Sequence, residues 1–492
     1  MMNIAHPVVV IGAGPVGLAA AAHLLARGLE PLVLEAAPEV AANILDWGHV
    51  RLFSPWRYNV DREAAALLAR SGWAAPASDV LPTGRELADG YLRPLAALPE
   101  IAARLRLGHR VVAIGRRHMD KVKTGGRDAS PFVVRVETAE GEGEILASAV
   151  LDASGTWATP NPLGANGLPA VGEGTFAERI HYGIPDVAGA LRDRYAGRRT
   201  VVVGSGHSAA NALLDLARLA GQAPGTGVVW AVRGADPARA FGGGEADALA
   251  ARGALGTALR NLQAGGALEL VTGFRVAKVI EADGKLVLES DDGRRIEGVD
   301  EVVAATGQRP DLAPLRELRL RLDPWLECTE ALGPLIDPNL HSCGTVRPHG
   351  VRELSHAEPG FYTVGIKSYG RAPTFLMATG YEQVRSIAAF LAGDVEAAHD
   401  VRLELPETGV CSSAPGPVPV AEDAGGCCGG PAAAGVDACC VKDADIKAAG
   451  GTGCGCGDAP AQAPAQAPTQ AQAAVETAAI PVKAGCCGPK AA

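Results

Sequence analysis

The chain has 492 residues, a formal net charge of −10 and 48% hydrophobic residues. That length supports two or three domains with sizeable cores, and the acidic balance argues against nucleic acid or an anionic membrane as a partner. Very few residues precede the first apolar strand and no apolar run reaches membrane-spanning length, so the sequence predicts a cytoplasmic protein.

The first element is the strand Val8-Val9-Val10-Ile11, which runs into Gly12-Ala13-Gly14-Pro15-Val16-Gly17 and an alanine-rich helix from Leu18 to Arg27, stopped by Gly28. A sharp strand-to-helix turn, a backbone bare enough to approach a pyrophosphate and a close helix–strand contact all favour glycine. Gly12, Gly14 and Gly17 fill those three places, with Pro15 between them, and the amides at the helix start face the phosphates. The next strand, Leu32-Val33-Leu34, ends at Glu35, an acid suited to the ribose hydroxyls of an adenosine.

A hairpin-like stretch follows, Phe132–Glu137 and Glu144–Leu146, leading into Val150-Leu151-Asp152-Ala153-Ser154-Gly155. The second half then repeats the plan of the first. Val201-Val202-Val203 precede Gly204-Ser205-Gly206-His207-Ser208-Ala209, a second dinucleotide loop in which Ala209 stands for the third glycine. The strand after it, Val229–Val232, ends in Arg233 with no acid, which favours a 2′-phosphate and therefore NADPH; Arg239 is a weaker candidate for the same task. A second hairpin, Leu286–Glu289 and Arg295-Ile296 around an Asp292-Gly293 turn, leads into Val302-Val303-Ala304-Ala305-Thr306-Gly307. The small residues ending that strand, Thr306 and Gly307 among them, let backbone pass close to a cofactor. Two dinucleotides imply a flavin reduced by a nicotinamide.

From Phe361 a strand runs to Gly365, and a helix is predicted to begin near Pro373 or Thr374 and to end near Leu391. After about residue 406 the composition turns to Ala, Gly, Pro, Gln and Cys, which cannot build a core. The expected fold is α/β, with two Rossmann-like dinucleotide-binding domains and a disordered or metal-organised Cys-rich tail. The expected boundaries are 1–160 with 311–406 for FAD, 161–310 for NADPH, and 407–492 for the tail.

These two loops and the Ala305-Thr306-Gly307 turn make the chain resemble the flavin-containing monooxygenase superfamily over roughly residues 7–405. Around His181, Thr175 and Ala177 stand where that family's fingerprint has Phe and Gly. A closer likeness is to the flavin monooxygenase-like proteins of bacterial arsenic-resistance operons, through Asp46–Val50, Ser54-Pro55-Trp56, His341–Thr345 and Gly365–Thr374. The resemblance implies FAD and NADPH as cofactors, molecular oxygen as co-substrate, and transfer of one oxygen atom to a soft nucleophile such as a trivalent arsenical. It makes Trp56 a cofactor contact, and Cys343, Lys367, Tyr369 and Arg371 candidates to touch flavin or substrate.

Cysteine is unevenly placed: none in residues 1–327, then Cys328 and Cys343, then nine of the eleven from Cys411 onward. That excludes a redox-active Cys pair built in beside the flavin or within the nicotinamide domain. In the tail lie Cys427-Cys428, Cys439-Cys440, Cys454-Gly455-Cys456 and Cys486-Cys487. Thiolates are soft ligands, so these eight, with Cys328 and Cys343, are candidates for a soft metal or metalloid. Spacing for a closed zinc site is absent. The pair Cys486-Cys487 also suits a relay arm, and an inert tail is the remaining reading. Two rivals to arsenical oxygenation stay open: N-hydroxylation of an amine, and thiol-based metalloid sequestration by a flavoprotein.

Overall fold

The computed structural model describes residues 6–403 except 248, 340–347 and 374, so Cys343 and every cysteine from Cys411 onward lie outside the described residues. Two five-stranded parallel sheets organise the described chain. The first has the spatial order Phe361–Thr363, Ala149–Asp152, Val8–Ile11, Pro31–Leu34, Leu105–Arg106. The second has the order Glu269–Val271, Gly227–Ala231, Arg199–Val203, Glu301–Ala304, Ile180–Tyr182. Continuous apolar strands such as Val8–Ile11, buried on both faces, suit parallel pairing under helices. Among the described residues no helix is long and apolar enough to cross a membrane.

Each parallel sheet carries a three-stranded antiparallel sheet. One is Arg110–Arg116, Phe132–Thr138 and Gly141–Ala147; the other is Val276–Ala282, Lys285–Ser290 and Arg295–Val299. Both hairpins read from the sequence are present, and each gains one further strand. The first lobe is closed by a segment far along the chain: Phe361 pairs with Val150, Tyr362 with Leu151 and Thr363 with Asp152.

The helix after the first loop spans Pro15–Ala26, and Gly28 follows at φ +71°. The closing helix spans Met377–Leu391, so it begins later than Pro373 or Thr374; its N-cap is Leu376 in an extended conformation. The expected start rested on proline's preference for a first helical turn. Here the neighbouring Arg371 instead donates its amide to the Leu326 carbonyl at 2.7 Å and Ala372 donates to Tyr369, which holds that stretch outside the helix.

A buried charge network joins the distant pieces of the first lobe. Glu358, 1% exposed, accepts from Arg116 Nε at 2.8 Å, from Arg127 Nη2 at 2.7 Å and from the Arg319 amide at 3.0 Å. Burial alone would raise its carboxyl, but the bonds from Arg127, Arg116 and Arg319 outweigh burial and hold it below the ordinary range. Glu358→Ala leaves two guanidinium groups buried without their carboxylate and is expected to lower the unfolding free energy by about 3–5 kcal/mol, read by chemical denaturation. Because the folded carboxyl titrates low, its contribution is present above about pH 4.3 and is lost as pH falls through the folded value. The gap between wild type and variant should therefore close in acid.

Candidate active site

The two glycine loops open towards each other across a cleft of about 430 Å³, within the size range of small-molecule sites. On the first-lobe side its wall includes Gly12, Gly14, Pro15 and Glu35; the second lobe contributes His207, Ser208 and Asn211. Gly12 has φ +98°, and a Cβ there would stand 2.8 Å from the Ala153 carbonyl oxygen. Gly17 lies over the turn, where a Cβ would meet the Gly12 carbonyl oxygen at 1.9 Å. Gly14, by contrast, has open space at its Cβ position, and no side chain caps the helix that it starts. The amides of that first turn are thus available to an anion.

Glu35 is held in place by the loop itself, its Oε2 accepting from the Ala13 amide at 2.7 Å and its Oε1 from the Ala37 amide at 2.9 Å. A bare cradle, an uncapped helix start and an oriented carboxylate fit an adenine dinucleotide. The second loop has the same build. Gly204, at φ +137°, would put a Cβ 2.2 Å from the Ala305 carbonyl oxygen, Gly206 starts the helix His207–Ala220 without a side-chain cap, and Ala209 is fully buried beneath it. Arg233 is exposed just beyond the strand Gly227–Ala231. Thr306 donates to the Asn161 carbonyl at 2.6 Å and Gly307 has φ +85°, which together shape a crossover between the lobes. Gln308, next in sequence, lines the cleft.

Several other sequence candidates lie elsewhere. Lys367 is buried, its Nζ donating to Asp152 Oδ2 at 2.7 Å and Ser154 Oγ at 2.9 Å, while its neighbours Gly365 and Ile366 line the cleft. Lys367 therefore braces the cleft wall from behind. Tyr369 is 2% exposed and packs against Phe375 and His349, with burial pushing its phenol well above the ordinary range. Arg371 is ion-paired with Glu327 at 2.8 Å. Trp56 is buried beside Gly90, away from the main cleft.

Cys328 sits in the hydrophobic core, 1% exposed, with burial pushing its thiol up to about 12. Such a thiol is a poor metal ligand at neutral pH, and no group of three His, Cys, Asp or Glu among the described residues could hold a metal ion. Burial thus leaves Cys328 a packing residue of the core.

Sequence reasoning passed over the far wall of the cleft, formed by Trp47, Phe53, Trp157, Phe375 and Met377. Trp157 carried one usable signal, a large aromatic two residues after a turn of small residues. His207 lies against Phe53, ring centroids 5.3 Å apart, and desolvation followed by the Arg252 guanidinium holds its imidazole below the usual range. Among the described residues the cleft lining includes no cysteine, and its one carboxylate is Glu35.

A family model described as pyridine nucleotide-disulphide oxidoreductase matches residues 9–339. A comparison with curated proteins finds no match. Among solved structures the fold is similar to the bacillithiol disulfide reductase from Bacillus cereus, at a TM-score of 0.56 and 20% identity over 79% of this chain and 99% of that one. It is similar also to the cadaverine monooxygenase of desferrioxamine biosynthesis from Erwinia amylovora, solved bound to FAD, at a TM-score of 0.53 and 14% identity over 85% and 99% of the two chains. A mutant of the flavin monooxygenase from Stenotrophomonas maltophilia gives a TM-score of 0.51 and 21% identity over 79% and 98%. At these identities the likeness shows the fold.

Proposed function

The chain belongs to the pyridine nucleotide-disulphide oxidoreductase family, and from that premise we propose that it is a monooxygenase that transfers oxygen to a soft nucleophile, with a trivalent arsenical as substrate. It is an enzyme that uses FAD and NADPH. The observation that carries the proposal is the cleft between the two loops: among the described residues it is walled largely by apolar and aromatic groups, and residues 1–327, which hold both loops, contain no cysteine pair that could pass electrons to a disulfide. Bound FAD, reduced by NADPH, supplies two electrons and activates oxygen. The balance is substrate, O₂, NADPH and a proton giving oxygenated substrate, water and NADP⁺.

The chain's own residues bind, orient and keep water out. Gly12, Gly14 and Gly17 receive the flavin's pyrophosphate, Glu35 its ribose, and Gly204, Gly206 and Ser208 the second pyrophosphate. Arg233 meets the 2′-phosphate. Trp47, Phe53, Phe375 and Met377 shield the reacting region, where water would divert reducing equivalents to peroxide. N-hydroxylation of an amine is less well supported, because among the described residues an ammonium substrate finds no unengaged carboxylate on the lining. The tail thiols suit capture of a trivalent metalloid by their softness.

NADPH consumption and peroxide release, followed with and without arsenite while arsenate is assayed in the same tube, test this reading. Faster NADPH use, less peroxide and arsenate equal to NADPH consumed are expected. Rates indifferent to arsenite would overturn the arsenical substrate, and peroxide equal to NADPH with every soft nucleophile tried would overturn the oxygenase.

A further inference from the structure

Two indole rings lie where the lobes meet. Trp157 sits on the segment leaving the first sheet, two residues past Gly155, and its Nε1 donates to Asp46 Oδ2 at 2.9 Å. Its ring centroid is 6.4 Å from that of Trp47. The outer edge of the indole rests on Gly183, the residue after the second-sheet strand Ile180–Tyr182. A Cβ at Gly183 would stand 2.9 Å from Trp157 Cη2 and 3.1 Å from Cζ2, and the backbone there has φ +100°. Trp47 covers Gly84 in the same way, since a Cβ there would stand 2.9 Å from Cε3 and Cζ3. Gly84, Trp47, Trp157 and Gly183 thus form one stack of contacts, in which the two indole planes are tilted by 58° to each other. The first two belong to the first lobe and the last to the second, and both indoles line the cleft.

The lobes are also joined by two crossovers side by side, where the Asn161 amide donates to Gly307 and an isolated bridge pairs Pro160 with Gln308. A pair of adjacent crossovers holds the lobes together but leaves rotation about the pair, as in a hinge. The seat of Trp157 on Gly183 and the Phe53–His207 ring contact are further contacts between the lobes, and they limit that rotation.

We infer that Trp157 is a positioning residue for hydride delivery: braced by Asp46 and Trp47 and seated on Gly183, it sets the angle at which the second loop faces the first. The inference rests on the reading of the cleft as the meeting place of FAD and NADPH. Hydride transfer tolerates little displacement, since about 1 Å of misplacement can cost roughly a hundredfold in rate. Loss of the stack therefore acts on the limiting rate, while the groups that grip each dinucleotide stay in place.

The test is anaerobic stopped-flow reduction of the bound flavin by NADPH, with dithionite reduction and flavin content measured on the same samples. Trp157→Ala should lower the limiting rate with NADPH by about 10–100-fold while moving the NADPH dissociation constant by no more than about threefold. Flavin content and dithionite reduction should match wild type. Trp157→Phe keeps part of the stack and should fall between the two. Asp46→Ala should slow NADPH reduction about 3–10-fold, and Asp46→Asn, whose amide oxygen still accepts from the indole, should restore it. A wild-type limiting rate in Trp157→Ala overturns the inference. Where Trp157→Ala loses its flavin, Asp46→Ala decides, and a wild-type rate there overturns it equally. A wild-type protein reduced by dithionite but not by NADPH would instead bring down the reading of the second loop, and this inference with it.

Discussion

Gly17→Ala is expected to give a protein that purifies with little or no flavin. The added Cβ would sit 1.9 Å from the Gly12 carbonyl oxygen and 3.0 Å from its carbon, both backbone atoms that no side-chain rotation can clear. The helix Pro15–Ala26 cannot back away freely, because Leu18 to Ala22 and Leu24 are fully buried against the core. Either the turn opens or the helix rises, and both move the amides that receive the pyrophosphate. Overpacking of this kind costs about 1–3 kcal/mol. Charged to the FAD-bound geometry, that is a loss of about one to two orders of magnitude in affinity, measured by titrating apoprotein with FAD. Flavin content and affinity equal to wild type would remove the first loop from cofactor binding.

Gly204→Ala is expected to do the complementary thing: keep the flavin and lose its reduction by NADPH. At φ +137° the position is unfavourable for any side chain, and the new Cβ would stand 2.2 Å from the Ala305 carbonyl oxygen. The strained turn lies in the second lobe, so the first loop and Glu35 are untouched. Clash and backbone strain together amount to about 2–4 kcal/mol, or roughly a 30- to 1000-fold fall in NADPH-driven reduction at limiting NADPH. Dithionite should reduce the variant as it does wild type. Loss of flavin in Gly204→Ala, or its retention in Gly17→Ala, would reverse the assignment of the two loops.

Both loops, the strands before them, the paired hairpins and the small-residue turns at Gly155 and Gly307 were legible in the sequence because each is a local pattern. What was not legible depends on pairs far apart in the chain. Lys367, a lysine in a polar loop, reads as solvent- or ligand-facing; its burial follows from Asp152, 215 residues away, which no spacing rule connects to it. Tyr369 and Trp56 read as cofactor contacts for the same reason that Trp157 was overlooked: an aromatic residue beside small or polar ones looks alike whether its ring faces a core or a cleft. The start of the closing helix was misjudged because Pro373 is a good first-turn residue, while the contact that holds the preceding turn outside the helix comes from Leu326.

The Lys367–Asp152 pair also sets an order of events during synthesis. Asp152 ends a strand that has only one neighbour in the first sheet until Phe361–Thr363 arrives, and the whole second parallel sheet, residues 180–304, is made in the interval. At roughly 5–20 residues per second the ribosome needs about 10–40 s to cover the 215 residues from Asp152 to Lys367. Through that time the first lobe waits with an open strand edge and Asp152 still without its lysine partner, and the second lobe has all its strands before that edge is closed. The N-terminal half of the chain is thus the last to be finished, and a nascent chain halted after the second lobe would expose the edge that chaperones exist to cover.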